Sequence, residues 1–387
     1  MLWFAVVSTR HSLTLTTLAL LTASCGGRSP TQPSPPPTPP PEVFDVVAVV
    51  FYDENGNGAL DGAEGVRLGN VSVQIGAGTG RSEPMSGRVL VHGVPAGSFP
   101  VQASTLPPFF AQGSRPLATA PQPAGSDVLI PVTLPIGANK PNTYMAFGDS
   151  ITVGDGSRDG TGYRQLLENQ LRATLGGARV VNQGVEATHT DAGAARIGLS
   201  LARNRPAYTL ILYGTNDWNE TECKASFACS TVDNLRIMLR SVKGASSLPV
   251  LATIIPGNPA YPQVPQQRND WVHATDVEIR ALARDEGALL VDLEAAFLAQ
   301  GDLTQLFADH IHPNDRGYQI MAEEFFKAIT EPQTSTSSIF ELPVAEPFDL
   351  FPLAGAPPTR SRGPASRLRE SHSHAAPLRQ REGTPRQ

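Results

Sequence analysis

Between residues 142 and 331 short apolar runs alternate with amphipathic stretches, and this alternation restricts the chain more than any other feature. The runs YMAFGD, ARVVNQG, YTLILYGTND, PVLATIIP and ALLVDL are nearly continuous in their apolar character. Strands of that kind are buried on both faces, as in a parallel sheet covered by helices. The segments between them carry a helical period. YRQLLENQLRATL places apolar residues at 166, 167, 171 and 175, close to a one-face pattern. TVDNLRIMLRSV, DVEIRALARDEG and RGYQIMAEEFFKAI behave similarly. The expected fold of 142–331 is α/β, a three-layer α/β/α domain with a parallel sheet.

Residues 43–136 follow a different rule. VFDVVAVVFY, NVSVQIG, GRVLVHGV, SFPVQAS and DVLIPVTL are β-branched runs separated by Gly and Pro turns, with no helical period. A small all-β sandwich is expected there. Residues 332–387 lose both patterns; the end of the chain is rich in Arg and poor in large apolar residues, which predicts a disordered tail.

The N-terminus reads as an export signal over residues 1–24. Arg10 and His11 precede an apolar run too short to span a bilayer, ending in LTASCGG. That ending resembles the bacterial lipoprotein signal, in which the cysteine, here Cys25, is lipidated and becomes the first residue. An ordinary secretory signal cleaved nearby is the alternative. In either case the mature protein leaves the cytoplasm, and the lipoprotein signal implies a cell-envelope location with membrane contact through Cys25. Residues 25–42 form a Pro-rich linker; its polyproline II core would hold the following domain roughly 40 Å from an anchor. A net charge of −6 gives no reason to expect a nucleic-acid partner. A monomer is expected.

In an open parallel sheet, ligands collect beyond the carboxyl ends of the strands. Gly148, Asp149 and Ser150 stand at the first such end, Asn182, Gln183 and Gly184 at the second, and Gly214, Thr215, Asn216 and Asp217 at the third. The last predicted strand leads into FADHIHPND at 307–315. A serine hydroxyl needs a base to remove its proton. His312 is the candidate base, and Asp309, three residues earlier, can turn back to hold its other ring nitrogen. Pro313 keeps that pair out of a helix. His310 lacks the Asp-x-x spacing and should point away. Ser200, in GLSLA, sits inside a helical pattern and is read as a helix residue.

GDSIT, the Gly184 of NQG, GTND and DHIHP resemble, in order and spacing, the four blocks of the SGNH, or GDSL-type, hydrolase family. The resemblance implies Ser150 as nucleophile, with Asp309 and His312 completing a triad. It assigns the oxyanion donors to the backbone N–H groups of Ser150 and Gly184 and the side-chain amide of Asn216. The second block often continues with a further glycine, where Ala187 stands here. Asp149 and Asp217 are expected to be structural. The implied activity is a serine esterase acting on small-acyl carboxylic esters through an acyl-enzyme, with no cofactor for catalysis. Substrates on carbohydrate and on lysophospholipid-like or thioester molecules both fit, and a non-catalytic surface adhesin is the competing class.

Two further motifs stand outside these blocks. Cys223 and Cys229, in NETECKASFACS, lie on a predicted rim loop and would form a disulfide in an oxidising compartment; two free thiols are the alternative. Trp218 and Phe227 in that loop either line the substrate pocket or pack it down. DENGNGALDGAE, residues 53–64, fits the twelve-residue calcium loop. Asp53, Asn55, Asn57, Asp61 and Glu64 would supply side-chain oxygens, Ala59 a carbonyl, and Gly58 the turn. Because a strand precedes it, the motif resembles the calcium-binding B-type β-sandwich repeats of bacterial surface proteins, with a structural Ca²⁺. A metal-free hairpin is the alternative.

Overall fold

A computed structural model describes residues 40–332, with 226 and 228 excepted. The signal over 1–24, Cys25, most of the Pro-rich linker and nearly all of the tail at 332–387 lie outside the described residues.

The N-terminal region is all β, as its turn-punctuated runs predict. It contains β1 (Val43–Tyr52), β2 (Ser72–Ile75), β3 (Gly78–Arg81), β4 (Arg88–Pro95), β5 (Gly97–Ser104), β6 (Ala111–Gln112), β7 (Leu117–Ala120) and β8 (Val128–Thr133). These eight strands hydrogen-bond in one continuous order, β6-β8-β1-β4-β3-β2-β5-β7, rather than as two separate sheets. The order folds back on itself: β1 touches β7 at the far end, and the Gln122 side chain bonds both Val47 N and Val47 O at 2.8 Å. Alternate residues Val46, Ala48, Val50 and Tyr52 of β1 face the enclosed core.

The second region contains β9 (Lys140–Gly148), α1 (Ser150–Val153), α2 (Tyr163–Leu175), β10 (Arg179–Gly184), α3 (Thr190–Asn204), β11 (Pro206–Leu212), α4 (Thr221–Ala225), α5 (Thr231–Gly244), β12 (Leu248–Ala252), α6 (Gln266–Glu286), β13 (Leu289–Val291), α7 (Leu293–Leu298) and α8 (Asp315–Thr330). Its five strands are parallel in the order β10-β9-β11-β12-β13, the flavodoxin-like arrangement. Every residue of β11 and β12 is buried, as expected of strands covered on both faces. The buried stripe of α2 is Tyr163, Leu167, Leu171 and Leu175. Leu166 is exposed instead, because Tyr163 takes its place by stacking on Phe325 of α8 at 4.8 Å. Ser200 lies within α3 and is buried there.

The two regions fall in one compact unit and share a core that runs without a break from Val46 to Ile329. Aromatic rings carry it across the junction. Tyr52 meets Phe110 edge-on at 5.2 Å, Phe109 meets Tyr208 at 6.3 Å, and Tyr208 stacks on Tyr144 at 5.0 Å. Rings of this size dominate the energetics of a core. No described helix is long and apolar enough to cross a membrane.

Candidate active site

The site is built where β9 stops. Gly148 is its last residue, and a Cβ there would collide with Leu212 O and Thr152 Oγ1, so only glycine lets the chain turn so tightly. Asp149 caps α1 by accepting from Ile151 N at 3.0 Å, and Gly154 ends it with φ of 103°. This short turn presents Ser150 to the cleft with 5 % of its surface exposed. Burial lifts the Asp149 carboxyl to about 7, against the lowering effect of the Ile151 N–H.

Ser150 Oγ lies 2.9 Å from His312 Nε2, and His312 Nδ1 lies 2.7 Å from Asp309 Oδ2. Asp309 Oδ1 accepts from His312 N at 2.7 Å and from Ile311 N at 2.8 Å. Burial works to raise this carboxyl, but the hydrogen bonds from His312 and Ile311 outweigh it and hold Asp309 below the usual carboxylate range. An ionised Asp309 keeps the proton on His312 Nδ1, which leaves Nε2 to accept from the Ser150 hydroxyl. The turn that carries the pair is closed by a bridge between Phe307 and Pro313 and by Ala308 N donating to His312 O at 2.9 Å. The next helix starts only at Asp315, capped by Asn314.

His310 does not reach Ser150. Its ring stands 6.4 Å from Tyr261, its carbonyl accepts from Asn258 N, and its Nδ1 keeps a 3.8 Å contact with Asp309 Oδ1.

The three expected oxyanion donors differ in their freedom. Asn216 Nδ2 donates to Thr188 O at 3.0 Å, which commits one of its two protons. Gly184 lies beside Gly148 in the sheet, but its single N–H donates to Asn182 Oδ1 at 2.9 Å. The reason for glycine at 184 is also local: a Cβ would sit 2.7 Å from Val153 N and 2.8 Å from Asp149 O. Ala187 occupies a left-handed conformation at φ 55°, a region that favours the glycine it replaces.

Asp217 is buried at the base of this loop. It accepts from Thr190 N at 3.0 Å, Thr190 Oγ1 at 2.6 Å and Thr231 Oγ1 at 2.6 Å. The structural role expected of it therefore has named partners. Thr190, Thr231 and Thr188 carried no signal in the sequence, because their partners, Asp217 for the first two and Asn216 for the third, lie on distant parts of the chain. Nor did Arg268, whose Nη2 reaches Thr215 O at 3.1 Å and Thr215 Oγ1 at 3.2 Å from behind. Burial lowers that guanidinium to about 10. Cys223 and Cys229 form a disulfide with Cα atoms 4.9 Å apart. Trp218 packs toward Trp271 at 6.1 Å, whereas Phe227 is exposed.

The loop at 53–64 curls around its own acidic residues. Asp53 and Glu64 are each 4 % exposed, and their carboxylates accept from backbone N–H groups of Asn57, Gly58, Glu54 and Asp61. Among the described residues no three His, Cys, Asp or Glu side chains converge as a metal site by themselves. The asparagines and the Ala59 carbonyl would have to complete an oxygen set, which is the donor chemistry Ca²⁺ prefers. Asn55 and Asn57 now direct their amide nitrogens at Asp61 Oδ2, at 2.7 and 2.8 Å. Their side chains would rearrange around an ion, and with that change the residues fit it.

Fold and site together describe a serine hydrolase on a flavodoxin-like sheet. Residues 146–320 match the GDSL-like Lipase/Acylhydrolase family. Among solved structures, the chain is similar to an acetylxylan esterase from Geobacillus stearothermophilus, at 22 % identity over 49 % of this chain and 95 % of that one, with a TM-score of 0.40. It is also similar to an alpha/beta hydrolase enzyme from the metagenome of Lake Arreo, Spain, at 25 % identity over 49 % and 96 %, with a TM-score of 0.41. A search of curated proteins with this sequence finds no match.

Proposed function

We propose that this GDSL-type esterase hydrolyses small-acyl carboxylic esters through an acyl-enzyme on Ser150. His312 takes the hydroxyl proton as Ser150 Oγ attacks the ester carbonyl, and returns it to the departing alcohol. Asp309 orients the imidazole and stabilises its protonated form. Water, activated by the same histidine, then releases the acid. The oxyanion is met by Ser150 N–H and by the remaining amide proton of Asn216. Gly184 N–H joins them once Asn182 Oδ1 releases it. One such donor is worth about 3–4 kcal/mol of barrier. The observation that carries this proposal is the unbroken chain from Ser150 Oγ through His312, at 2.9 and 2.7 Å, to Asp309.

The substrate is an acyl group on carbohydrate or on a lysophospholipid-like alcohol. The protein acts as an exported monomer held at the cell envelope by a lipid on Cys25, with 25–42 as its spacer. Ca²⁺ bound by Asp53, Asn55, Asn57, Ala59, Asp61 and Glu64 orders the N-terminal loop and takes no part in the chemistry. The test is labelling with a fluorophosphonate probe alongside p-nitrophenyl esters of rising chain length and acetylated xylan. Wild type is expected to be labelled and Ser150→Ala is not. A folded wild type that resists the probe overturns the enzyme; labelling that survives Ser150→Ala overturns the site.

A further inference from the structure

Arg196, near the middle of α3, faces the same sheet edge from one side. Its guanidinium carbon lies 3.9 Å from the centre of the Phe147 ring. The two protons of its Nη2 are shared among Gly148 O at 2.9 Å, Gln183 O at 2.8 Å and Tyr213 Oη at 2.8 Å, and its Nε donates to Tyr213 Oη at 3.3 Å. These three partners stand at the ends of β9, β10 and β11, where the ladder of strand hydrogen bonds runs out. The contact continues one step further. Tyr213 Oη is 2.9 Å from Thr188 Oγ1, and Thr188 O accepts from Asn216 Nδ2 at 3.0 Å. One cation therefore touches the residue two before Ser150, the residue before Gly184, and the tyrosine that leads to the Asn216 amide.

We infer that Arg196 is a positioning residue for acyl transfer, fixing the nucleophile turn and the oxyanion donors relative to each other. Strand-end carbonyls away from water need donors. A planar guanidinium meets these partners through Nη2, adds Nε–H to Tyr213 Oη, and lies flat on the Phe147 ring. Lysine keeps the charge and three N–H donors on one nitrogen, but it has no Nε–H for Tyr213 Oη and no planar face to lie on the Phe147 ring. The three loops would then relax independently, and misplacement by about 1 Å costs on the order of 100-fold in rate. The inference rests on the acyl-transfer reading of Ser150.

The experiment compares full-length wild type, Arg196→Lys and Tyr213→Phe on p-nitrophenyl acetate, with fluorophosphonate titration counting competent sites and far-UV circular dichroism reporting the fold. Arg196→Lys is expected to lose about 10–100-fold in kcat with KM within about twofold, and to reach the wild-type titration end point more slowly. Tyr213→Phe is expected to lose roughly 3–10-fold in kcat, since it cuts the links of Tyr213 to Arg196 and Thr188 but leaves Arg196 on Gly148 O and Gln183 O. A kcat loss that merely follows the loss of titratable sites, or Arg196→Lys at wild-type kcat, overturns the inference while the esterase stands. If Arg196→Lys does not fold, Tyr213→Phe at wild-type kcat overturns it. A wild type that neither labels nor turns over removes the esterase itself and the inference with it.

Discussion

Asn142 Nδ2 donates to Glu54 Oε1 at 2.7 Å, which ties the loop at 53–64 to the first strand of the hydrolase sheet. Glu54 N in turn donates to Glu64 Oε1 at 2.9 Å. A second tie runs from Arg67 N to Leu175 O at 3.1 Å. Gly176 packs so tightly here that a Cβ on it would lie 2.8 Å from Gly65 O. The candidate calcium loop is thus seated against the foot of the catalytic half.

This seating predicts that calcium stabilises the whole described unit. Calorimetry of the full-length protein should show a single transition that moves as one when Ca²⁺ is replaced by chelator. An ion present at about 100 times its Kd adds about 2.7 kcal/mol, or roughly 5–10 °C here. Asn142→Ala, which strips a partly buried carboxylate of its donor, should cost about 1–3 kcal/mol in calcium. A chelator that shifts an early transition and leaves a later one in place would show that the two halves melt apart.

Asp149 makes a second prediction through linkage. It is 1 % exposed, and its carboxyl is lifted to about 7 mainly by burial. In the unfolded chain an aspartate titrates near 3.9. Because the folded value is the higher one, the folded chain holds the proton more tightly. Below about pH 4 both states are protonated and the group contributes nothing. As pH rises from 4 to 7 the unfolded state ionises first, and stability falls by about 2–4 kcal/mol before levelling off. Asp149→Asn keeps an acceptor for Ile151 N–H and does not titrate. Its melting temperature relative to wild type should therefore climb across that window and stay flat above it. A constant difference between pH 4 and 8 would mean that Asp149 is ionised throughout.

The alternation of apolar runs and helical stretches carried the order of the elements, because strands buried on both faces leave no choice of polar residues. Ser150, Gly184, Asn216 and the 309–312 turn were legible for a related reason: strand ends in a parallel sheet share one edge. What was hidden depends on which surface covers which. Tyr144 and Tyr208 read as strand residues in one half, and Tyr52 in the other. Nothing in either pattern states that Phe109, outside every predicted strand, meets Tyr208, or that Phe110 beside it meets Tyr52. Leu166 and Tyr163 exchanged places because an aromatic hydroxyl counts as half polar in a periodicity but packs as a large ring. The Asn182 amide that occupies the Gly184 N–H is a two-residue contact, too local for any spacing rule.

Residues 184 and 187 respond oppositely to exchanges between glycine and alanine. Gly184→Ala places a methyl 2.7 Å from Val153 N and 2.8 Å from Asp149 O, both backbone atoms that cannot swing aside. The nucleophile turn must shift, at a cost of about 1–3 kcal/mol, and kcat should fall with it. Ala187→Gly removes a left-handed strain of about 1 kcal/mol and returns part of that as chain entropy. The net expectation is stability equal to wild type or higher by less than about 1 kcal/mol, measured by urea unfolding. Loss of more than 1 kcal/mol in Ala187→Gly would mean that its methyl group is packed.

The pH dependence of turnover follows from Asp309. Its carboxyl lies below the usual range, so it remains ionised wherever the protein is folded and active. The sign for stability is the reverse of that for Asp149. A depressed folded value means a contribution that is complete above the unfolded value near 3.9 and is lost as pH falls through the folded one. Loss of activity above pH 4.5 on acidification therefore belongs to protonation of the imidazole and not of its partner. Asp309→Asn separates the two. The amide no longer favours a proton on Nδ1, so the histidine can adopt the tautomer that donates to Ser150. Turnover should drop by about 10³-fold or more while the fluorescence-monitored melt at pH 7 stays within a few degrees of wild type. A kcat–pH profile that stays level from pH 8 down to 4.5 in the wild type would remove His312 as the base, since no other group in contact with Ser150 Oγ among the described residues can take its proton.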